Sequence, residues 1–178
     1  MAEPLNMLLA GFGGQGVLFA GKLAASAGLI EGRELSWLPS YGPEMRGGTA
    51  NCSVCLSDEP IGSPLVLEPD VLIAMNQPSL DKFIFDVVPG GTVIIDSTMV
   101  PNVPARDDVR IFKVPATQLA EENGLKGLAN VILMGKLFKE VGFCSAEALD
   151  AAVVKCIPPK RQQLLEPNRK ALALGMES

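Results

Sequence analysis

The segment that decides the fold is LNMLLAGFGGQG, residues 5–16. Residues 5–10 form a short apolar run, as in a fully buried strand, and a glycine-rich turn follows. Residues 17–30 are good helix formers, and Gly32 marks the end of that helix. Strand, glycine turn and helix in this order predict the start of a doubly wound sheet.

The same alternation continues along the chain. Further strands are predicted at 34–38, 49–56, 70–75, 92–96 and 109–114, and further helices at 78–87, 116–123, 128–141, 145–155 and 159–174. Residues 39–48 are predicted to be a loop, because they contain two prolines and three glycines. We expect a Rossmann-like, three-layer α/β/α fold with a mostly parallel sheet and a helical C-terminal third, in one domain of residues 1–178.

Composition excludes several classes of function. The chain of 178 residues has 15 basic and 20 acidic residues, a net charge of −5, and only 5% aromatic residues. A nucleic-acid-binding surface needs a basic stripe or stacking aromatics, so we expect no nucleic-acid partner. The apolar runs are too short to cross a membrane. The sequence has no histidine, which excludes Ser–His and Cys–His nucleophiles and histidine-ligated metals.

Cysteine usage and the first residues indicate a cytoplasmic protein. MAEP, residues 1–4, lacks the basic region that opens a secretory signal. The thiols are therefore expected to be reduced. Cys52 and Cys55 spell C-x-x-C but fall in a predicted strand, where residues three apart face opposite sides. Only a fold that brought Cys144 and Cys156 beside them would make a four-sulfur site.

The glycine turn matches G-x-G-x-x-G at Gly11, Gly13 and Gly16, with Gly14 between them. Glycines in such a turn let backbone N–H groups face an anion. A dinucleotide site also needs an acid at the end of the second strand, but Glu34 lies at its start. A dinucleotide site is therefore the least favoured interpretation. The turn is expected to be a simple packing turn or to bind another phosphate or a partner's backbone.

Polar side chains follow several predicted strands. Gln15 lies at the start of the first helix, where its amide would reach a ligand bound in a crevice at the carboxyl ends of the strands. Ser40, Asn76 and Asp96 follow later predicted strands. Ligands of such sheets bind outside the carboxyl ends of the strands, so these groups are expected at one edge. Each of them is also suited to cap a helix or a turn.

The second informative stretch is SYGPEMRGG, residues 40–48. It carries a hydroxyl on Ser40, a phenol on Tyr41, a carboxylate on Glu44 and a guanidinium on Arg46, and Gly47 adjoins the guanidinium. A guanidinium flanked by glycines is accessible to a phosphate or carboxylate. The alternative is an exposed Glu44–Arg46 ion pair with no ligand.

Together these two glycine-rich stretches resemble those of the gamma subunit, or gamma domain, of 2-oxoacid:ferredoxin oxidoreductases. The resemblance also covers residues 70–83, 89–96 and 130–135, and extends over essentially residues 5–175. It implies membership of a pyruvate, 2-oxoglutarate or 2-oxoisovalerate enzyme. Such an enzyme decarboxylates a 2-oxoacid on thiamine diphosphate, passes electrons through iron–sulfur clusters to ferredoxin and forms an acyl-coenzyme A.

The resemblance further implies that alpha, beta and delta subunits are the partners, and that they carry thiamine diphosphate, Mg and the 4Fe-4S clusters. This chain is expected to bind no cofactor tightly and to be inactive alone. Its Gly13, Gly14, Gln15, Gly16 and Arg46 are expected to contact coenzyme A phosphates or a partner subunit.

Two other functions stay open from the residues. One is a free-standing NAD(P)- or flavin-binding oxidoreductase; the other is an assembly subunit whose loops touch only protein. An apolar content of 48% is compatible with a large interface, and with a homodimer when partners are missing.

Overall fold

The computed structural model describes residues 4–42 and 48–178. Within them the strands are β1 (Leu5–Phe12), β2 (Glu34–Tyr41), β3 (Thr49–Ser57), β4 (Val71–Ala74), β5 (Thr92–Asp96) and β6 (Arg110–Val114). The α-helices are α1 (Val17–Ile30), α2 (Gln77–Phe83), α3 (Ala116–Glu122), α4 (Ala129–Val141), α5 (Ala146–Cys156) and α6 (Leu165–Glu177). Short 3-10 helices follow at Ile84–Asp86 and Pro159–Leu164. The predicted strands and helices are present in this part of the chain with ends shifted by a few residues, except that the helix predicted at 159–174 is divided into the 3-10 helix Pro159–Leu164 and α6.

The strands form one sheet in the order β2-β3-β1-β4-β5-β6. The pairs β1–β4, β4–β5 and β5–β6 are parallel, whereas β3 runs antiparallel to both β1 and β2. The predicted α/β fold with a mostly parallel sheet is confirmed. The insertion of β3 between β1 and β2 was not apparent from the sequence, because period-two alternation does not reveal which strands pair.

Helices cover both faces of the sheet, unequally. Met7 and Leu9 of β1 lie on the face that α1 and α3–α6 cover. Leu8 lies on the other face, with α2 and the irregular segment 58–69. On the first face the small residues of α1 pack on β3: a Cβ at Gly28 would lie 2.5 Å from Leu56 Cδ2. The small-residue face of α1 therefore packs against the sheet.

Strand β2 is longer than the sequence predicted, since it runs through Pro39 to Tyr41. The N–H of Gly42 donates to the carbonyl of Thr49 at 2.8 Å, so the even-numbered residues of β2 bond β3. Pro39 falls in the outward row of an edge strand, where its missing N–H breaks no bond. The prediction that Pro39, Ser40 and Tyr41 belong to a loop was therefore wrong.

Candidate functional site

The glycine loop lies at the carboxyl end of β1 and leads directly into α1. Gly14 and Gly16 have φ angles of 100° and 74°, a region that glycine adopts without strain. Gly16 is the N-cap of α1, and no side chain caps this helix. The first N–H groups of α1 therefore lack a side-chain acceptor, and this is the arrangement by which helix N-termini bind anions.

Two of the loop glycines lie closely packed against neighbouring side chains. A Cβ at Gly11 would lie 2.7 Å from Gln15 Oε1, and one at Gly16 would lie 2.5 Å from Asn130 Nδ2. Asn130 donates through that nitrogen to the carbonyl of Gly16 at 2.9 Å. A Cβ at Gly14, by contrast, would meet nothing within 4 Å. The loop is thus a packing turn at its two ends and an open backbone surface at Gly14.

The amide of Gln15 ties β1 to β4. Its Oε1 accepts from the N–H of Phe12 at 2.7 Å and from Asn76 Nδ2 at 3.2 Å, and its Nε2 donates to the carbonyl of Met75 at 2.9 Å. Asn76 is buried and caps α2 by accepting from the N–H of Ser79 at 2.9 Å. Of the four side chains predicted at this edge, Gln15 and Asn76 therefore meet, and they bond to each other.

This arrangement affects the crevice that a dinucleotide would use. The connection after β1 leads towards β2 and the connection after β4 leads towards β5, in opposite directions across the sheet. The crevice in which such a fold binds ligands therefore lies between the carboxyl ends of β1 and β4. There Gln15 and Asn76 use their amide groups for hydrogen bonds within the chain. In addition β3, not β2, lies beside β1, which leaves no neighbouring strand end for a ribose-binding acid. Both observations speak against a dinucleotide site.

The second glycine-rich stretch starts and ends beside the glycine loop. The N–H of Gly13 donates to the carbonyl of Gly48 at 2.8 Å. Tyr41 lines a cleft of about 220 Å³ with Gly13, Gly14 and Gly16, whereas Ser40 is exposed and not among the residues of that cleft. Glu44, Arg46 and Gly47 lie outside the described residues, so their predicted roles stay predictions.

Two further clefts adjoin the glycine loop, and each contains a basic residue that the sequence analysis missed. Lys126 lines a cleft of about 290 Å³ with Gly14 and Gln15. Arg161 lines one of about 370 Å³ with Gly16. The available signal was NGLKG, residues 123–127, where glycines flank Lys126 as they flank Arg46. Arg161 had no comparable signal, because only the packing of the C-terminal helices brings it to the loop.

Asp96, at the end of β5, has a structural role. Its carboxylate is fully buried and accepts from the N–H of Thr98 at 3.1 Å. It also accepts from the backbone N–H of Thr117 at 3.2 Å and from its hydroxyl at 2.5 Å. These bonds hold the start of α3 against the end of β5, as a capping residue would.

The cysteines are free and separated. Cys52 faces α1 and Cys55 the opposite layer, which confirms that the C-x-x-C straddles the sheet. Burial raises the pKa of Cys52 to about 12. Burial, followed by the charge of Glu31, raises the pKa of Cys144 to about 12. Thiols held this far from ionisation are poor nucleophiles and poor metal ligands at neutral pH.

Two kinds of feature are not found in residues 4–42 and 48–178. No three side chains of cysteine, aspartate or glutamate come together as a metal ion would require. Nor does any helix of this part of the chain have the length and apolar character needed to cross a bilayer.

The chain is similar to known proteins over nearly its whole length. Residues 6–178 match the model of the pyruvate ferredoxin/flavodoxin oxidoreductase family. The ketoisovalerate oxidoreductase subunit VorA of Methanothermobacter thermautotrophicus is 41% identical over 174 residues, 97% of this chain. The chain spans only 36% of the length of that relative.

Solved structures agree with this match. The gamma subunit of a keto/oxoacid ferredoxin oxidoreductase from Geobacter sulfurreducens superposes with a TM-score of 0.83 at 30% identity, over 97% of this chain and 96% of that one. A 2-oxoglutarate:ferredoxin oxidoreductase from Magnetococcus marinus, solved with 2-oxoglutarate, coenzyme A and succinyl-CoA, shares the fold with a TM-score of 0.88 at 23% identity. It covers 99% of this chain, which matches 31% of that one. The resemblance inferred from the two glycine-rich stretches is thereby confirmed, and the chain belongs to the pyruvate ferredoxin/flavodoxin oxidoreductase family.

Proposed function

We propose that this chain is the gamma component of a cytoplasmic 2-oxoacid:ferredoxin oxidoreductase, which converts a 2-oxoacid to an acyl-coenzyme A and reduces ferredoxin. In that enzyme it assembles with alpha, beta and delta subunits and supplies part of the coenzyme A site. Family membership supports the reaction. The near-complete overlap with a separate gamma subunit supports a subunit of this size.

The open backbone at Gly14, next to an uncapped helix start, carries the proposal of a coenzyme A site. Coenzyme A has a pyrophosphate and a 3′-phosphate, which need N–H donors and cations. The loop offers Gly14 and Gly16, whereas the N–H of Gly13 already donates to Gly48, so Gly13 would contact a ligand only through its Cα side. The clefts beside the loop contain Lys126 and Arg161. Arg46 and Tyr41 are proposed as further contacts from the second stretch, and Tyr41 lines the cleft beside the loop.

The redox groups are assigned to partner subunits. Thiamine diphosphate with Mg supplies the electron sink for decarboxylation, and 4Fe-4S clusters carry the electrons onward. The cysteines of this chain do not suit a cluster, because Cys52 and Cys55 lie on opposite faces of the sheet. The role of this chain is accordingly to bind and orient coenzyme A beside chemistry that other subunits perform.

Contact with partners has a candidate surface at the β2 edge. Trp37, Leu38 and Tyr41 of this edge strand are exposed, as are Leu29 and Ile30 at the end of α1. Exposed large apolar side chains close together are typical of interaction sites. This surface favours a role in assembly. If the glycine-rich loops contact only protein, assembly is the whole function of the chain.

Calorimetry on the assembled complex tests the coenzyme A site. We expect Arg46→Ala to weaken coenzyme A binding by about 2–5 kcal/mol if the guanidinium makes a buried charged contact. Lys139→Ala is the matched control, because Lys139 is exposed in the last turn of α4 and lines none of the three clefts. Unchanged coenzyme A affinity together with unchanged assembly would remove Arg46 from the site.

The isolated chain tests the assignment of the redox groups. We expect the purified chain to show no oxidoreductase activity and no visible absorbance. A brown, iron-containing preparation would contradict this assignment, and bound nucleotide fluorescence would favour a dinucleotide-binding protein. Saturable coenzyme A binding by a complex that lacks this chain would leave only the assembly role.

A further inference from the structure

Three large apolar side chains are exposed on the face of the sheet opposite α1. Leu67, Phe85 and Leu65 are 71%, 67% and 53% exposed, the highest values for large apolar residues in the described part of the chain. None of the three lines the clefts beside the glycine loop. Single exposed apolar side chains are ordinary, but contiguous ones mark interaction surfaces. The three side chains therefore indicate a contact surface if their segments adjoin.

The first of these segments lies across β3. The N–H of Val66 donates to Ser53 Oγ of β3 at 3.2 Å, and the side chain of Val66 is buried. Leu65 and Leu67 flank Val66 in the chain and are exposed. Because Val66 turns inward, its two neighbours lie on the outer side of the segment.

Phe85 adjoins this segment. It follows Ile84, which is buried in the same apolar cluster as Val66. The N–H of Val88 donates to the carbonyl of Pro69 at 3.1 Å, so the two segments lie side by side at their ends. Each exposed side chain is within four residues of this bond, and the three therefore form one apolar patch.

Arg106 brings two acidic residues to the edge of this patch. Its guanidinium donates to the carbonyls of Ile84 and Val87 at 2.7 and 3.0 Å. Asp107 and Asp108, the residues after it, are exposed. Both carboxylates therefore lie beside this part of the chain.

The rest of the surroundings is also acidic. Glu68 and Asp86 are exposed and directly follow apolar residues of the patch. Residues 58–108 contain nine acidic and two basic residues, whereas residues 109–178 contain seven acidic and ten basic residues. The negative charge is therefore concentrated in the segment that carries the patch. The acidic apolar face comprises Leu65, Leu67, Phe85, Glu68, Asp86 and Asp107.

The charge of this face decides what can cover it. In a two-fold dimer the same patch of both copies would meet, so acidic residues would face acidic residues and oppose the contact. An anionic membrane or a nucleic acid is repelled for the same reason. A protein surface with lysines or arginines around an apolar centre is attracted to the acids and buries the patch.

We propose that the acidic apolar face docks on a basic surface of a partner subunit, with Leu67 and Phe85 at the centre of the contact and the acids at its rim. An apolar centre within a polar rim is the usual anatomy of a protein interface. The inference rests on the proposed assembly with alpha, beta and delta subunits. It adds a contact surface separate from the β2 edge and gives the charge of the surface that meets it.

Affinity for the other subunits tests the apolar centre. We expect Phe85→Ser and Leu67→Ser each to weaken binding of the chain to the complex of alpha, beta and delta subunits at least about tenfold, measured by biolayer interferometry. Because both side chains are exposed in the chain alone, its Tm should stay within about 2 °C of the wild type. Val154→Ser is the matched control, since Val154 is 43% exposed on α5, outside the acidic apolar face. Unchanged affinity of both variants would overturn the proposal.

The salt dependence of the same binding tests the acidic rim. Because salt screens exposed charges, binding of the wild type should weaken about tenfold between about 50 and 500 mM salt. Glu68→Lys should weaken binding at low salt and flatten this dependence. Glu122→Lys, an equal change of charge at an exposed position of α3, should behave as the wild type. Equal salt dependence of the two variants would contradict a basic partner surface and overturn the proposal.

The assembled complex separates this inference from the proposed function. We expect the amides of residues 64–69 and 83–88 to exchange with deuterium more slowly in the complex than in the free chain. If the chain assembles and these amides exchange equally fast in both, the face is not the contact and the proposed function stands. If the chain does not bind those subunits, both proposals fall. A free chain that dimerises, and loses the dimer in Phe85→Ser, would show that a second copy covers the face, against the proposal.

Discussion

The glycine loop of residues 11–16 and the contact between α4 and α6 both depend on glycine, but for different reasons. Gly14 has a positive φ and open space around it. Gly135 and Gly175 have ordinary helical backbones, yet a Cβ on either would collide with the backbone carbonyl of Leu172 or Ile132. The first region has an open backbone surface, and the second lets two helices touch.

This difference explains why one region was recognised and the other was not. A glycine that ends a strand and begins a helix has a local sequence context. A glycine within a helix looks like a weak helix position until its neighbour is known. Function and packing therefore use the same residue type, and only its surroundings separate them.

The largest effect is expected at the helix contact. Gly175→Ala would place a methyl group against the carbonyl of Ile132, and because backbone has little room to yield, we expect a loss of about 3 kcal/mol in the free energy of unfolding. Urea denaturation measures it. Gly62→Ala, where a Cβ meets nothing within 4 Å, should change little. Equal stability of the two variants would show that α4 and α6 do not touch through Gly175.

The second-largest effect on stability is expected at Gln15, whose amide bonds the segments that follow β1 and β4. Gln15→Leu keeps the size of the side chain but removes its bonds to Phe12, Met75 and Asn76, so we expect a loss of about 2 kcal/mol in stability. The exposed Gln118→Leu should stay within about 0.5 kcal/mol of the wild type. Unchanged stability with weakened coenzyme A binding would instead support the ligand-facing role predicted from sequence.

The loop glycines allow a finer comparison. Gly14→Ala only places a side chain at a position with a positive φ. We expect this strain to lower the free energy of unfolding by about 1 kcal/mol. Gly16→Ala adds a collision with Asn130 Nδ2, so it should destabilise by about 1 kcal/mol more. Thermal unfolding of both proteins measures the difference. If Gly16→Ala is no worse than Gly14→Ala, Asn130 does not press on the loop.

The smallest effect is expected at the surface ion pair between Asp150 of α5 and Arg169 of α6. A hydrogen bond from Arg169, at 2.6 Å from Nε to Oδ1, lowers the pKa of Asp150. The pair therefore stabilises the fold above the ordinary aspartate pKa of about 3.9, and this stability is lost as the pH falls through the lowered value. Asp150→Asn should reduce Tm by about 1–3 °C at pH 7.

That difference should shrink as the pH falls below about 3.9, because the aspartate of the wild type then loses its charge. Scanning calorimetry at several pH values provides the measurement. A Tm difference that stayed constant down to pH 2 would show that the charge of Asp150 has no part in it.

The strand ends show what local sequence predicts and what it does not. The apolar run before Gly11 and the Asn76 cap of α2 were readable, because burial and capping act over a few residues. Pro39 misled the prediction of β2, since a proline is tolerated in a strand only where its position faces outward at an edge. The insertion of β3 beside β1 depends on pairing between distant residues.

The candidate site divides in the same way. The glycine loop and Tyr41 were predicted, and the structure lines one cleft with them. Asn130, Asn168 and Arg161 were missed, since each is an ordinary polar residue in a helical segment. Asn130 bonds Gly16 across 114 positions of the chain, and no local pattern records such a contact.

The order of strands and helices and the glycine turn were determined by the sequence alone, because they follow from apolar periodicity and from residue types with narrow backbone preferences. The family was identified from the sequence too, through the resemblance of its two glycine-rich stretches to those of known proteins. The tertiary structure alone decided that Gln15 bonds to Met75 and Asn76 at the end of β4. It also decided that two asparagines from separate helices line one cleft. Hydrogen bonds between distant segments form only after the sheet and helices have packed, so the packing chooses their partners.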